Sequence, residues 1–178
     1  MQDSQRIPLV DSPMTPEMIA LFARISSARD GQVPNLYRAL ANSPAVCGAW
    51  LELFTQLRQK SVVPPLLREL AMLRIAVLNR AEYEFAAHLP FARTAGASDT
   101  QLSALRQKEL DFSVFSDDQR AVLRYADAMT LDVQVSESIV NDVNKEFNAQ
   151  GLLEITVIVA GYNMVSRVLE ALTIPHDP

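Results

Sequence analysis

The fold turns on residues 65–96, PLLRELAMLRIAVLNRAEYEFAAHLPFARTAG. Its first half, from Pro65 to Leu78, follows the pair Pro64-Pro65 and is apolar nearly all round. A segment of that kind reads as a helix buried on most of its sides. One acid, Glu69, stands inside it. Burying an unpaired carboxylate is costly, so Glu69 requires a partner, a raised pKa, or both. Arg68 and Arg74 sit one residue before and five after it, offsets that do not face each other on a helix. A partner from another helix is expected.

The second half carries Glu84 and His88, four residues apart and therefore one turn apart on a single helix face. Ala81 lies a turn earlier on that face, while Glu82 and Tyr83 point elsewhere, leaving Glu82 as a solvated or bridging acid. The small residues Ala81, Ala86 and Ala87 let a helix or a ligand come close. Pro90 lacks an amide donor and should kink or break the helix beside His88. Spacing alone leaves two readings of Glu84 and His88: an ion pair on a helix surface, or a proton-handling pair. His88 is the side chain here that exchanges a proton near neutrality without help. A neighbouring carboxylate would fix its tautomer, and a desolvated Glu69 could hold or pass a proton.

Outward from this stretch the chain reads as helix after helix. Thr15-Pro16 caps a helix that stops at Gly31, and VPN precedes a short helix LYRALAN. Ser43-Pro44 opens AVCGAWLELFTQLRQ, with Val46, Trp50, Leu53, Phe54 and Leu57 as its apolar stripe. Ser98-Asp99 caps another helix, and Ser116 with Gln119 forms a capping-box pattern. Ser136 caps ESIVNDVNKEFN, and Gly151 precedes the last helix, LLEITVIVAGYNMVSRVLEALTI. Its run ITVIV has no second strand candidate to pair with, so the expected fold class is all-α. A weak internal echo places Glu69 and Glu154 each at the head of an oily helix.

Composition narrows the function classes. The 178 residues are 49% hydrophobic, enough for a sizeable core, and carry a net charge of -5. No basic stripe points to nucleic acid. No apolar run is expected to span a membrane, and the N-terminal MQDSQRIPLVDSP does not resemble a signal peptide, so the expected location is the cytoplasm. A single cysteine, Cys47, excludes an internal disulfide and a multi-thiolate metal site, and its surroundings suggest a small buried residue. His176, in the tail PHDP, is expected to fray. One histidine with carboxylates is a poor zinc set, so no metal is expected.

RELAMLRIAVLNRAEYEFAAHLPFARTAG, with SDTQLSAL after it, resembles the carboxymuconolactone decarboxylase family, which includes the alkyl hydroperoxidase D (AhpD) group. VPNLYRALANSP upstream and FSDDQRAVLRYADAMT with LLEITVIVAGYNMVSRVLEAL downstream are similar to its flanking segments. The likeness runs from roughly Val33 to Leu172. It implies a single AhpD-like domain of about 7–9 helices over residues 1–178, with the helix at 15–30 packed on that core or on a neighbouring subunit. Redox members carry a Cys-x-x-Cys pair, a histidine four residues later, and a glutamate on the preceding helix. On this chain the glutamate is Glu69 and the histidine His88, but the cysteine positions fall on Ala81 and Glu84. Thiol-based peroxide reduction lacks its nucleophile.

The pattern of Glu84, Phe85 and His88 is instead similar to the decarboxylase members, which act on a small lactone carboxylate without metal or organic cofactor. The resemblance therefore implies a cofactor-independent acid–base enzyme working on a small organic acid or lactone. His88 would be the general acid, Glu84 its orienting partner and Glu69 a buried relay. An arginine should meet the substrate's charge. Arg80 is favoured, as one turn from Glu84 on nearly the same face, over Arg74 and Arg167. Tyr162 and Asn163 are candidates for the pocket wall. Family members assemble as trimers, hexamers or larger rings, so a homo-oligomer is expected. The alternatives are isomerisation or hydrolysis at the same groups, a peroxidase-type activity, and a non-catalytic binding or scaffold protein.

Overall fold

The computed structural model describes residues 5–177, which form nine α-helices, a three-residue 3₁₀ turn and, among those described, no strand. Residues up to Lys60, together with those from Leu169 onward, cluster into one unit, and Ser61–Val168 form another.

The first unit holds α1 (Pro16–Ala28), α2 (Asn35–Leu40) and α3 (Pro44–Gln59). Thr15 caps α1 by accepting from the Met18 amide, with Pro16 supplying its fixed φ at the first turn. The helix ends where Asp30 and Gly31 take positive φ values of 52° and 83°. On α3 the buried stripe is Cys47, Trp50, Leu51, Phe54 and Leu57. The expected stripe shared Trp50, Phe54 and Leu57 with it, but Val46 and Leu53 lie outside, 52% and 40% exposed. The small Cys47 and Leu51 occupy the inner side instead, a turn of the helix that periodicity with several apolar options does not fix. The C-terminal tail is tied down rather than frayed. Asn35 donates from Nδ2 to the carbonyls of Pro175 and His176, and its amide donates to Asp177.

The second unit is built on α4 (Pro65–Leu78), in which every residue from Leu67 to Ala76 is buried. It packs against α5 (Glu82–Thr94) and α7 (Asp117–Leu131), with α6 (Asp99–Leu105) on a further side. Leu70, Leu73, Phe85, Leu102, Leu105, Phe115 and Leu123 meet in its core. Capping boxes start α6 at Ser98 with Gln101 and α7 at Ser116 with Gln119. α8 (Glu137–Glu146) lies on α7.

At Pro90 the helix does not break, and the last helix does not begin where Gly151 suggested. α5 continues unbroken through Pro90 to Thr94. Ala86, whose carbonyl loses its donor, is exposed along with Pro90, so solvent can satisfy that group. The last helix, α9 (Ala149–Leu172), starts two residues before Gly151. The Asn148 side chain accepts from the Gly151 amide, and a Cβ at Gly151 would come within 2.9 Å of Phe147 Cβ. Gly151 is thus a contact residue inside the first turn. By length and hydropathy α9 is also apolar enough to cross a membrane, contrary to expectation. Within its unit, Ile155, Ile158, Val159, Tyr162 and Val165 are buried as on a core helix.

Candidate active site

The turn between α4 and α5 aims the candidate residues. Asn79 ends α4, Arg80 takes φ +57°, the Arg80 amide bonds to the Val77 carbonyl and the Ala81 amide to the Ala76 carbonyl. This is a Schellman closure with an arginine where glycine is preferred. It seats Ala81, 1% exposed, at the N-cap of α5. Arg80 therefore does not share a helix face with Glu84, as its spacing suggested. It precedes the helix in the left-handed region, and its side chain is exposed.

Glu69, Glu84 and His88 do come together. His88 Nδ1 lies 2.7 Å from Glu69 Oε2 across the α4–α5 contact, and His88 Nε2 lies 3.2 Å from Glu84 Oε1 one turn back. All three are buried: Glu69 is 8%, Glu84 3% and His88 5% exposed. Glu69 finds the partner from another helix that its burial demands. Glu84 and His88 are no surface pair. Glu82 turns outward, with a carboxylate oxygen 3.7 Å from the guanidinium of Arg106, both side chains largely in solvent.

Burial by itself favours a neutral imidazole at His88. The hydrogen bonds of Glu69 and Glu84, and the charges of both, outweigh it and raise the His88 pKa from 6.5 to about 9. At neutral pH the ring is an imidazolium held between two carboxylates, each nitrogen donating to one of them. Such a ring is a proton donor at rest rather than a base. The longer Nε2 contact is the weaker of the two and the one a reacting group can most readily replace.

The other nominated residues divide. Tyr162 is buried and sets its ring edge-on to His88, with centroids 5.1 Å apart. Phe91, which sequence reasoning passed over, stands 6.1 Å from the same ring. Its signal was available: it is three residues beyond His88 on the same helix. Asn163 is consumed by structure, donating to the Thr130 hydroxyl and the Val159 carbonyl while its Oδ1 accepts from Asn79 and Arg167. Arg167 grips Asn163 through Nη1. Arg74, 2% exposed, is locked to Asp127 by two bonds of 2.7 and 3.1 Å and to the carbonyls of Leu105, Gln107 and Lys108. That makes Arg74 a clamp with no donor to spare for a substrate.

Cys47 lies in the first unit, fully buried, with burial pushing its thiol up to about 11. A thiol held that far above neutrality is a poor nucleophile. Among the described residues no cluster of His, Cys, Asp and Glu is disposed to hold a metal ion.

Fold and site together define an all-α protein of AhpD-like architecture with a buried acid–imidazole–acid row and no cysteine at 81 or 84. Residues 44–128 match the profile of the carboxymuconolactone decarboxylase family. The chain is 31% identical over 130 residues to the uncharacterized protein YnjA of Escherichia coli (strain K12), a match spanning 71% of this chain and 66% of that protein. Its fold matches an uncharacterized peroxidase-related protein from Silicibacter sp. TM1040 (TM-score 0.81, 21% identity, 98% of this chain and 93% of that one). It also matches the debrominase Bmp8, solved in complex with 2,3,4-tribromopyrrole (TM-score 0.76, 16% identity, 98% and 94%). The family match thus covers residues 44–128, and the fold is that of the AhpD-like structures.

Proposed function

We propose that the protein is a cofactor-independent acid–base enzyme of the carboxymuconolactone decarboxylase type, acting on a small organic acid or lactone. The observation that carries this reading is the buried row Glu69–His88–Glu84, which presents a protonated imidazole at neutral pH. In a decarboxylation the bond from carbon to the carboxylate breaks, carbon dioxide leaves, and the electron pair remains as a dienolate. His88 then donates the Nε2 proton to carbon as Glu84 yields its place, while Glu69 holds Nδ1 and stabilises the ring through the transfer. Two carboxylates face one imidazolium, so a substrate carboxylate calls for a further cation. Arg80 takes that role, since no side-chain partner engages it among the described residues. Tyr162 and Phe91 line the aromatic side of the site. The protein works in the cytoplasm as a homo-oligomer.

The relatives include a debrominase and peroxidase-related proteins, so peroxide chemistry is the rival reading. The buried Cys47 thiol and the absence of cysteine at 81 and 84 weigh against it. The test is turnover of small lactone carboxylates, followed by carbon dioxide release, alongside turnover of an organic hydroperoxide. His88→Gln should lower carbon dioxide release about 10²-fold or more. Lactone turnover indifferent to that substitution, or hydroperoxide turnover lost in Cys47→Ala, sinks the proposal.

A further inference from the structure

The first unit buries a guanidinium to which no described residue supplies a counter-charge. Arg29, at the C-cap of α1, is 7% exposed. Its Nη1 donates to the Ala28 carbonyl at 2.8 Å and to the Thr55 hydroxyl at 3.4 Å, and its Nη2 donates to the Tyr37 hydroxyl at 2.5 Å. Only the first of these acceptors belongs to the helix end that a cation favours. No carboxylate among the described residues pairs with Arg29, in contrast to Arg24 with Glu52 and Arg74 with Asp127. A desolvated charge left in this way is strongly unfavourable unless an opposite charge reaches it.

We propose that Arg29, Tyr37 and Thr55 form a binding site for a small oxyanion, a phosphate or carboxylate group, on the first unit. A guanidinium has five N–H donors, and three are used here, leaving Nε–H and one Nη2–H to form a bidentate fork for two oxygens of one anion. Tyr37 and Thr55 accept from Arg29, so each keeps its own hydroxyl proton to donate onward. The cluster is thus rich in donors and short of acceptors, the composition an oxyanion completes. Tyr37 is 4% exposed, and burial raises its pKa against the opposing charge of Arg29, so the phenol keeps its proton at neutral pH. Arg58 also directs positive charge toward Tyr37. The three side chains come from α1, α2 and α3, so an anion bound there would tie together the helices of the unit. The site is separate from Glu69, Glu84 and His88 and does not depend on the proposed reaction.

Inorganic phosphate and acetate serve as probes, titrated onto the full chain at constant ionic strength with chloride as control. The midpoint of thermal unfolding should rise by several degrees with phosphate, acetate, or both, which separates the two oxyanion sources. Arg29→Met should abolish that response. Tyr37→Phe, which keeps the ring, should weaken the apparent affinity about tenfold, the worth of one hydrogen bond to a charged group. His88→Gln should leave the response unchanged. Should Arg29→Met fail to fold, Tyr37→Phe followed by calorimetric titration carries the test. No response to either probe, or equal affinity in wild type and Tyr37→Phe, overturns the proposal. So does a change in sedimentation of Arg29→Met with no response to either anion, which would assign the counter-charge to another copy of the chain.

Discussion

Two buried charge clusters share α4, five residues apart, and they are built to opposite ends. At Arg74 the guanidinium donates two bonds to Asp127 and spends its remaining donors on three backbone carbonyls. At Glu69 a carboxylate meets an imidazole that is shared with a second carboxylate. The first cluster has a permanent charge and satisfied geometry, so it fixes α7 and the loop after α6 against α4 and does nothing else. The second is centred on a group that can lose its proton, and it has one bond, at 3.2 Å, that can be exchanged. A helix buried on every side can therefore host both a rivet and a reactive site. The difference lies in whether the central group titrates.

Breaking the rivet should have the largest effect on stability. Arg74→Ala leaves Asp127 without its partner and should cost roughly 3–5 kcal/mol in denaturant unfolding. That loss should hardly vary between pH 6 and 9, because arginine stays charged throughout. A pH-dependent loss in that variant would show the two clusters to be coupled.

The reactive cluster should show the opposite behaviour. His88 has a folded pKa of about 9, above its ordinary 6.5. Its contribution is fully present below pH 6.5 and is lost as pH rises through about 9. At about 1.4 kcal/mol per pKa unit, the wild-type protein should lose roughly 3 kcal/mol across that window. A Glu69→Gln, Glu84→Gln double variant should flatten the slope, and titration of the His88 ring by NMR should report the same pKa. An unchanged slope in that variant would place the titrating group elsewhere.

The two carboxylates should also separate. Glu69→Gln removes the charge from the shorter bond and should destabilise the protein by about 2 kcal/mol at pH 7, more than Glu84→Gln. Glu84→Gln should chiefly alter turnover, since its position is the one a substrate displaces. The smallest effect belongs to the turn between the clusters. Arg80→Gly relieves a left-handed φ at a Schellman position and should stabilise by up to about 1 kcal/mol. If Arg80 also meets a substrate carboxylate, the same variant should raise KM while it raises the unfolding midpoint.

Much of the second unit was legible in the sequence because its signals are local. Pro64-Pro65, the all-round apolar α4, and the Ser98 and Ser116 caps each act within a few residues. The four-residue interval between Glu84 and His88 survives any packing of the helix that carries it. Arg80 was misplaced because spacing cannot show that the helix begins two residues later, at Glu82. No break occurs at Pro90 because solvent can reach the orphaned Ala86 carbonyl. Asn163 was nominated for a pocket, yet its four hydrogen bonds run to α4, α7 and its own helix, partners no interval reveals.

The sequence by itself determined that the protein is helical, that Glu69 needs a partner, and that Glu84 and His88 face the same way. These follow from periodicity, from the cost of burying a lone carboxylate, and from helical geometry. The tertiary structure decided the rest. Only the packing of α4 on α5 brings Glu69 Oε2 to 2.7 Å from His88 Nδ1, and only the two carboxylates, acting against the burial of the ring, keep it protonated at neutral pH. A charge's pKa is set by what surrounds it in space, and no reading along the chain contains that distance.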